Sequence, residues 1–223
     1  MRLFNTRKEI TNLKVKQNTQ KTDGLHFILS VPLIYQAIQF IFKHEQTERR
    51  FSDFIGEKRN KRILDIGCGI GFDSQKYSDA FSYTGLDLSQ KYIDHARQFY
   101  GDYGSFYCCS VDEMSNLNLQ KFDIVLLKGV LHHLADEQIN NMVKTLRNHV
   151  TQGAIFVAVD PTFYSGQNFI AKWLISNDRG KNVKNKLESA HFLKSLFADF
   201  QSTHTKQFIP PYDRLIVRGI FKI

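Results

Sequence analysis

Cysteine, proline and tryptophan are scarce in this chain, at 3, 4 and 1 of 223 residues. Three cysteines, two of them adjacent (Cys108 and Cys109), cannot frame a disulfide scaffold. Without a Cys-x-x-Cys pair no metal site is expected. Reduced thiols suit a cytoplasmic setting. Few prolines, 13 glycines and no internal repeat exclude collagen-like and low-complexity classes. Long apolar runs are missing too. The most apolar stretch, 25–42, is interrupted by His26, Ser30, Pro32, Gln36 and Gln39. A spanning helix needs about 20 mostly apolar residues, so no transmembrane segment is expected. The basic start is not followed by a compact apolar run and cleavage site, so no signal peptide is expected.

What is there is ordinary globular composition, with 42% hydrophobic and 23% charged residues. The length suits one domain with an extension. Charge is uneven: residues 1–62 carry 13 Lys/Arg against 6 Asp/Glu, a net of +7, and the remainder carries 17 against 16. Such an arm can attract phosphates, anionic lipid or an anionic substrate, against the plainer and favoured reading of a solvated, helical surface. No nucleic-acid motif accompanies it, so nucleic acid is a possible but not a favoured partner, behind a small-molecule acceptor. Nothing in the sequence fixes an oligomeric state. The chain divides into a basic arm (1–24), a helical segment (25–60) and a domain over 61–223.

Within 25–60, Val31, Ile34, Tyr35, Ile38, Ile41 and Phe42 share one helix face, and a second helix is expected over Gln46–Phe54. Strands are expected at 62–66, 83–88, 105–110, 122–128 and 154–159. Helical stretches follow through Tyr77, through Tyr100 and over 131–150. In the second of these Tyr92, Ile93, Ala96 and Phe99 share one face. That alternation predicts a doubly wound, mostly parallel sheet with helices on both faces. The tail predicts a helix at 187–200 and two strands, 203–209 and 214–222. The joint around Pro210-Pro211 is short enough to force an antiparallel pair.

Ligands of such folds sit at the carboxyl ends of the strands. There the first strand opens into Gly67-Cys68-Gly69-Ile70-Gly71. A dinucleotide fingerprint would place its third glycine at Phe72, one position later. Asp65 suits a ligand carrying a cation, such as an amino acid's ammonium. Asp87, 20 residues beyond Gly67, suits ribose hydroxyls. Asp112 is placed to accept from an adenine amino group. His132 and His133 follow the fourth strand and are candidate general bases, against the plainer readings of helix cap or core packing. Asp160 ends the fifth strand and either serves the acceptor or forms a turn before Pro161. Cys108 and Cys109 fall within the third strand and read as buried rather than nucleophilic. Pro210-Pro211-Tyr212 reads as a stiff turn.

Residues 63–71 resemble motif I of the class I S-adenosylmethionine-dependent methyltransferases. Gly85-Leu86-Asp87-Leu88-Ser89 is similar to their second motif, and 122–134 to their fourth-strand segment. More narrowly, Ser30-Val31-Pro32-Leu33-Ile34-Tyr35, Asp160-Pro161, 171–176 and Asp178-Arg179-Gly180-Lys181 resemble a group of small bacterial methyltransferases of poorly defined substrate. That group commonly has Val-Arg where this chain has Val183-Lys184. The resemblance implies a Rossmann-like sheet of seven strands, the last antiparallel and inserted beside the fifth. It implies S-adenosyl-L-methionine as cofactor and S-adenosyl-L-homocysteine as product. Asp65, Gly67, Cys68 and Gly69 would line the methionine part, and Lys128 would contact the methionyl group. Asp87 would hold the ribose, Leu88 would lie against the adenine, and Asp112 would face its edge. Tyr35, on a helix that could fold over the cofactor, and Arg179 and Lys181 would bind the acceptor, against the plainer readings of core packing for Tyr35 and a solvated turn for the other two. The expected activity is methyl transfer to a small molecule or a cell-envelope glycan or lipid precursor. RNA or protein methylation and an NAD-dependent enzyme of the related dinucleotide fold are the alternatives.

Overall fold

A computed structural model of the chain describes residues 45–177 and 182–222. The arm 1–24, the helix expected over Val31–Phe42 with Tyr35, and Arg179 and Lys181 lie outside these residues.

The elements alternate as expected. They are α1 (Glu45–Ile55), β1 (Arg62–Ile66), β2 (Ser82–Asp87), α2 (Gln90–Tyr100), β3 (Ser105–Cys108), β4 (Phe122–Lys128), α3 (Asp136–Arg147), β5 (Val150–Pro161), α4 (Phe169–Ser176), α5 (Lys186–Leu196), β6 (Phe197–Phe208) and β7 (Pro211–Phe221). The seven strands form one sheet in the order β3-β2-β1-β4-β5-β7-β6. β1 to β5 are mutually parallel, and β7 runs antiparallel to both β5 and β6. The last strand is thus inserted beside the fifth.

Alternation along the central strands fills both faces, as helices on either side require. Leu64, Val125, Leu127, Phe156 and Val217 meet α3 and α5 on one face. Ile63, Ile124, Leu126, Val157 and Ile216 meet α1 and α2 on the other. α1, part of the 25–60 segment, joins this second core through Phe51 and Ile55.

Several boundaries differ from expectation for local reasons. The stretch after the glycine loop is a 3-10 helix, Phe72–Tyr77. The helix expected over 131–150 is a 3-10 turn, Leu131–His133, then an extended Leu134, then α3. Gln138 accepts from the Ala135 N–H and opens α3 there, with Asp136 and Glu137 in its first turn. β3 ends at Cys108, and all three cysteines are half-buried, not buried. α2 buries Ile93, Ala96 and Tyr100, while Phe99 is exposed beside the His95 ring. The tail helix stops at Leu196, because Phe197 already packs on Phe156 and Phe221.

Candidate active site

At the end of β1 the chain turns on Gly67, Gly69 and Gly71, all with positive φ. The Gly67 and Cys68 N–H groups donate to Leu86 O at 2.8 and 3.0 Å, tying the loop to β2. A Cβ on Gly67 would lie 2.5 Å from Val130 Cγ2, and one on Gly71 would lie 2.8 Å from Ala96 Cβ. The first glycine admits the chain beneath the β4 loop. The third admits α2 against β1.

Asp87 ends β2 and holds this loop. Its Oδ2 accepts from Gly69 N–H at 3.0 Å and its Oδ1 from Ser89 N–H at 2.8 Å. Burial raises its pKa, opposed by those backbone donors. Each oxygen takes one of these bonds and has a second lone pair for a ribose hydroxyl. Leu88, 77% exposed beside it, offers an apolar surface suited to a flat base. Below the loop Asp65 is buried, with the Tyr83 hydroxyl donating at 2.5 Å. Burial pushes its pKa up to about 7, against the lowering effect of Tyr83. An incoming ammonium would favour its charged form. The residues present therefore fit a cofactor with a ribose, a base and a cationic amino acid end. Cys68 turns its thiol to Gly69 O, and burial holds that thiol protonated.

Two residues expected to contact the cofactor have partners within the chain. Lys128 Nζ lies 2.7 Å from Asp73 Oδ2 and 3.3 Å from both Glu48 oxygens, above the Phe51 ring. Lys76 bonds the same two acids. Burial disfavours the charged forms here, but mutual attraction outweighs it: Lys128 is raised, Asp73 and Glu48 are lowered. This network ties α1 to the turn behind the glycine loop. Asp112 is exposed and accepts from Thr145 of α3. The sequence reading missed Glu48, Asp73 and Lys76. The Asp73–Lys76 spacing was a usable sign of one pair, but no local pattern points to Glu48.

Beyond β4 the structure joins two of the three catalytic candidates. Asp160 does not form a turn: it lies within β5, and its Oδ1 accepts from His132 Nδ1 at 2.6 Å and from His132 N–H at 3.1 Å. His132 is buried, and its Cε1 is 3.7 Å from the Cβ position of Gly129, the first residue past β4. Asp160 Oδ2 is buried and finds no donor among the described residues. Asp160 lines a cavity of about 40 Å³ that also touches Asn182, Lys184 and Ser189. His133 is exposed, with its ring centroid 4.1 Å from that of His132. A second pair, His204 Nε2 with Asp213 Oδ1 at 3.1 Å, was not anticipated. Gln167 donates to the other oxygen of Asp213. His204 and Asp160 both stand opposite Leu215, so both pairs lie on one face of the sheet.

Residues 63–153 match a family model described as a methyltransferase domain. The chain shares this likeness over less than half of its length. It is 24% identical over 123 residues to an N-terminal Xaa-Pro-Lys N-methyltransferase of Danio rerio, covering 51% of this chain and 55% of that protein. It is 36% identical over 80 residues to a ubiquinone biosynthesis O-methyltransferase of Aromatoleum aromaticum, covering 34% of each. The chain thus spans about a third to a half of the curated relatives it matches. The magnesium protoporphyrin IX methyltransferase structure from Synechocystis, with S-adenosylhomocysteine bound, superposes with a TM-score of 0.58 at 16% identity, covering 86% of each chain. At that identity the likeness speaks for the fold.

Proposed function

We propose that the chain transfers a methyl group from S-adenosylmethionine to a hydroxyl of a small molecule or a cell-envelope glycan or lipid precursor. The observation that carries this reading is the buried His132–Asp160 pair beside Gly129, at the carboxyl edge between β4 and β5.

The cofactor supplies a methyl carbon on a sulfonium, whose sulfur leaves with the bonding electrons. The chain's residues supply position and a proton acceptor. Asp87 and Asp65 would fix the ribose and the ammonium. Asp160 holds His132 through Nδ1, which leaves Nε2 as the basic nitrogen of the neutral ring. His132 would take the hydroxyl proton as the oxygen attacks, and Asp160 would stabilise the imidazolium formed. Such a base contributes about 10²–10⁴ in rate. Asp160 Oδ2 is an acceptor for a further donor on the substrate or for a water.

The test is transfer of labelled methyl from S-adenosylmethionine into fractionated cell extract. Label is expected in the small-molecule or lipid fraction, and His132→Gln should remove it while cofactor binding persists. Label in protein or RNA overturns this acceptor class.

A further inference from the structure

Five of the nine large hydrophobic side chains exposed among the described residues belong to two neighbouring elements. Phe169 (78%), Ile170 and Trp173 (64%) lie on α4. Phe208 (78%) and Ile209 (90%) form the β6–β7 tip. Ala171 and Ile175 are the buried positions of α4, so its exposed residues do not belong to the core. The segment leading into α4 is pinned to the hairpin, by Gln167 on Asp213 and by Tyr164 against Lys206 and His204. β6 runs parallel to β1–β5, because β7 is antiparallel to both β5 and β6. Its end at Phe208 therefore lies at the sheet edge that carries Asp87 and Asp160.

The charges within the two exposed segments are basic. Residues 161–177 and 201–212 contain no Asp or Glu, in a chain with 22 of them, and they carry Lys172 and Lys206. Both lysines are exposed. Exposed aromatic and aliphatic side chains with basic neighbours and no acids suit the boundary of an anionic bilayer. Tryptophan favours that layer because its ring is apolar and its N–H is polar. Each basic group near such a surface contributes about 1 kcal/mol. The net +7 of residues 1–62 adds attraction of the same sign.

We propose that this rim docks on the surface of an anionic lipid bilayer, with Phe169, Trp173, Phe208 and Ile209 entering the headgroup layer. The acceptor end of the sheet then faces the membrane, while the chain itself stays at the interface. The inference goes beyond the methyl-transfer reading and does not depend on the acceptor's identity.

The chain contains a single tryptophan, Trp173, so its emission reports the rim alone. The full chain is mixed with vesicles of phosphatidylcholine, or of phosphatidylcholine with phosphatidylglycerol, at low and high salt. With the anionic vesicles a blue shift and quenching by brominated lipid are expected, both weakening as salt rises. Phe169→Asp and Ile209→Asp should each weaken binding by roughly tenfold or more. Each variant should keep the wild-type thermal shift with S-adenosylmethionine, which separates loss of docking from loss of fold or of cofactor binding. Unchanged emission and no co-sedimentation overturn the proposal, as does equal binding to neutral vesicles. Shielding of Trp173 from acrylamide before vesicles are added overturns it in favour of a cover from the chain itself. Shielding that grows with protein concentration overturns it in favour of a second copy.

Discussion

The two ends of the sheet's carboxyl edge are held together differently. At the end proposed for the cofactor, β1 to β3, the acids are held from nearby: Asp87 by Ser89 and Gly69, Asp65 by Tyr83. At the end proposed for the acceptor the contacts join segments far apart in sequence. His132 meets Asp160 over 28 residues, Gln167 meets Asp213 over 46, and the Asn182 N–H donates to His132 O. The first arrangement uses a turn and the strand beside it. The second combines the β4 loop, β5, the hairpin and the segment before α5. Changes in those loops can reshape the acceptor end while leaving the cofactor end intact, which is how one fold serves many acceptors.

Breaking the acceptor end should have the largest effect. His132→Gln is expected to lower turnover by about 10²–10⁴ with cofactor affinity unchanged. Single-turnover kinetics on the labelled acceptor, with calorimetry of cofactor binding in parallel, would check both halves. An equal loss of affinity would mean that the two ends are not separable.

Breaking the cofactor end should reverse the pattern. Asp87→Ala removes a carboxylate able to take both ribose hydroxyls, and cofactor binding should weaken by about 10²–10³. Titration calorimetry would read it directly. Gly67→Ala acts on the fold instead. A side chain at φ +74°, with its Cβ 2.5 Å from Val130, should cost about 2–3 kcal/mol. That is roughly 4–12 °C in a thermal melt. Adding Val130→Ala should recover part of the loss, and no recovery would refute the close-contact explanation.

The smallest effect sharpens the comparison through pH. Asp65 sits near 7 in the folded chain, above its ordinary value of about 4. The folded state therefore holds a proton that the unfolded state releases between about pH 4 and 7. This group's contribution to stability is full below that window and is lost as pH rises through 7. Asp65→Asn should gain stability relative to wild type on going from pH 5 to pH 8, on the order of 1 kcal/mol. Urea melts at the two pH values measure it, and a parallel dependence in both proteins would contradict the burial of a titrating Asp65.

The same contrast explains what the sequence disclosed. The glycine loop and Asp87 were legible because residues close along the chain define them. The parallel strands were legible because burial on two faces leaves near-continuous apolar runs such as 122–128. His132 and Asp160 could be named as candidates at strand ends. Their pairing required knowing that β4 and β5 are neighbours. The partners of Lys128 were illegible because Glu48 and Asp73 lie on elements 80 and 55 residues away. The bond from Thr145 of α3 to Asp112 was illegible for the same reason, joining residues 33 apart in sequence. The exposed apolar rim was illegible for a simpler reason. Phe169, Trp173 and Ile209 look like core residues until burial is known.

That the β1–β2 end binds S-adenosylmethionine is tested most directly by thermal unfolding with S-adenosylmethionine, S-adenosylhomocysteine or NAD added in turn. Ligand at 100 times its dissociation constant stabilises by about 2.7 kcal/mol, a rise of roughly 5–11 °C for a chain of this size. The account predicts that rise with the first two ligands, none with NAD, and its loss in Asp87→Ala. A rise with NAD alone, or no rise with any ligand, would contradict it.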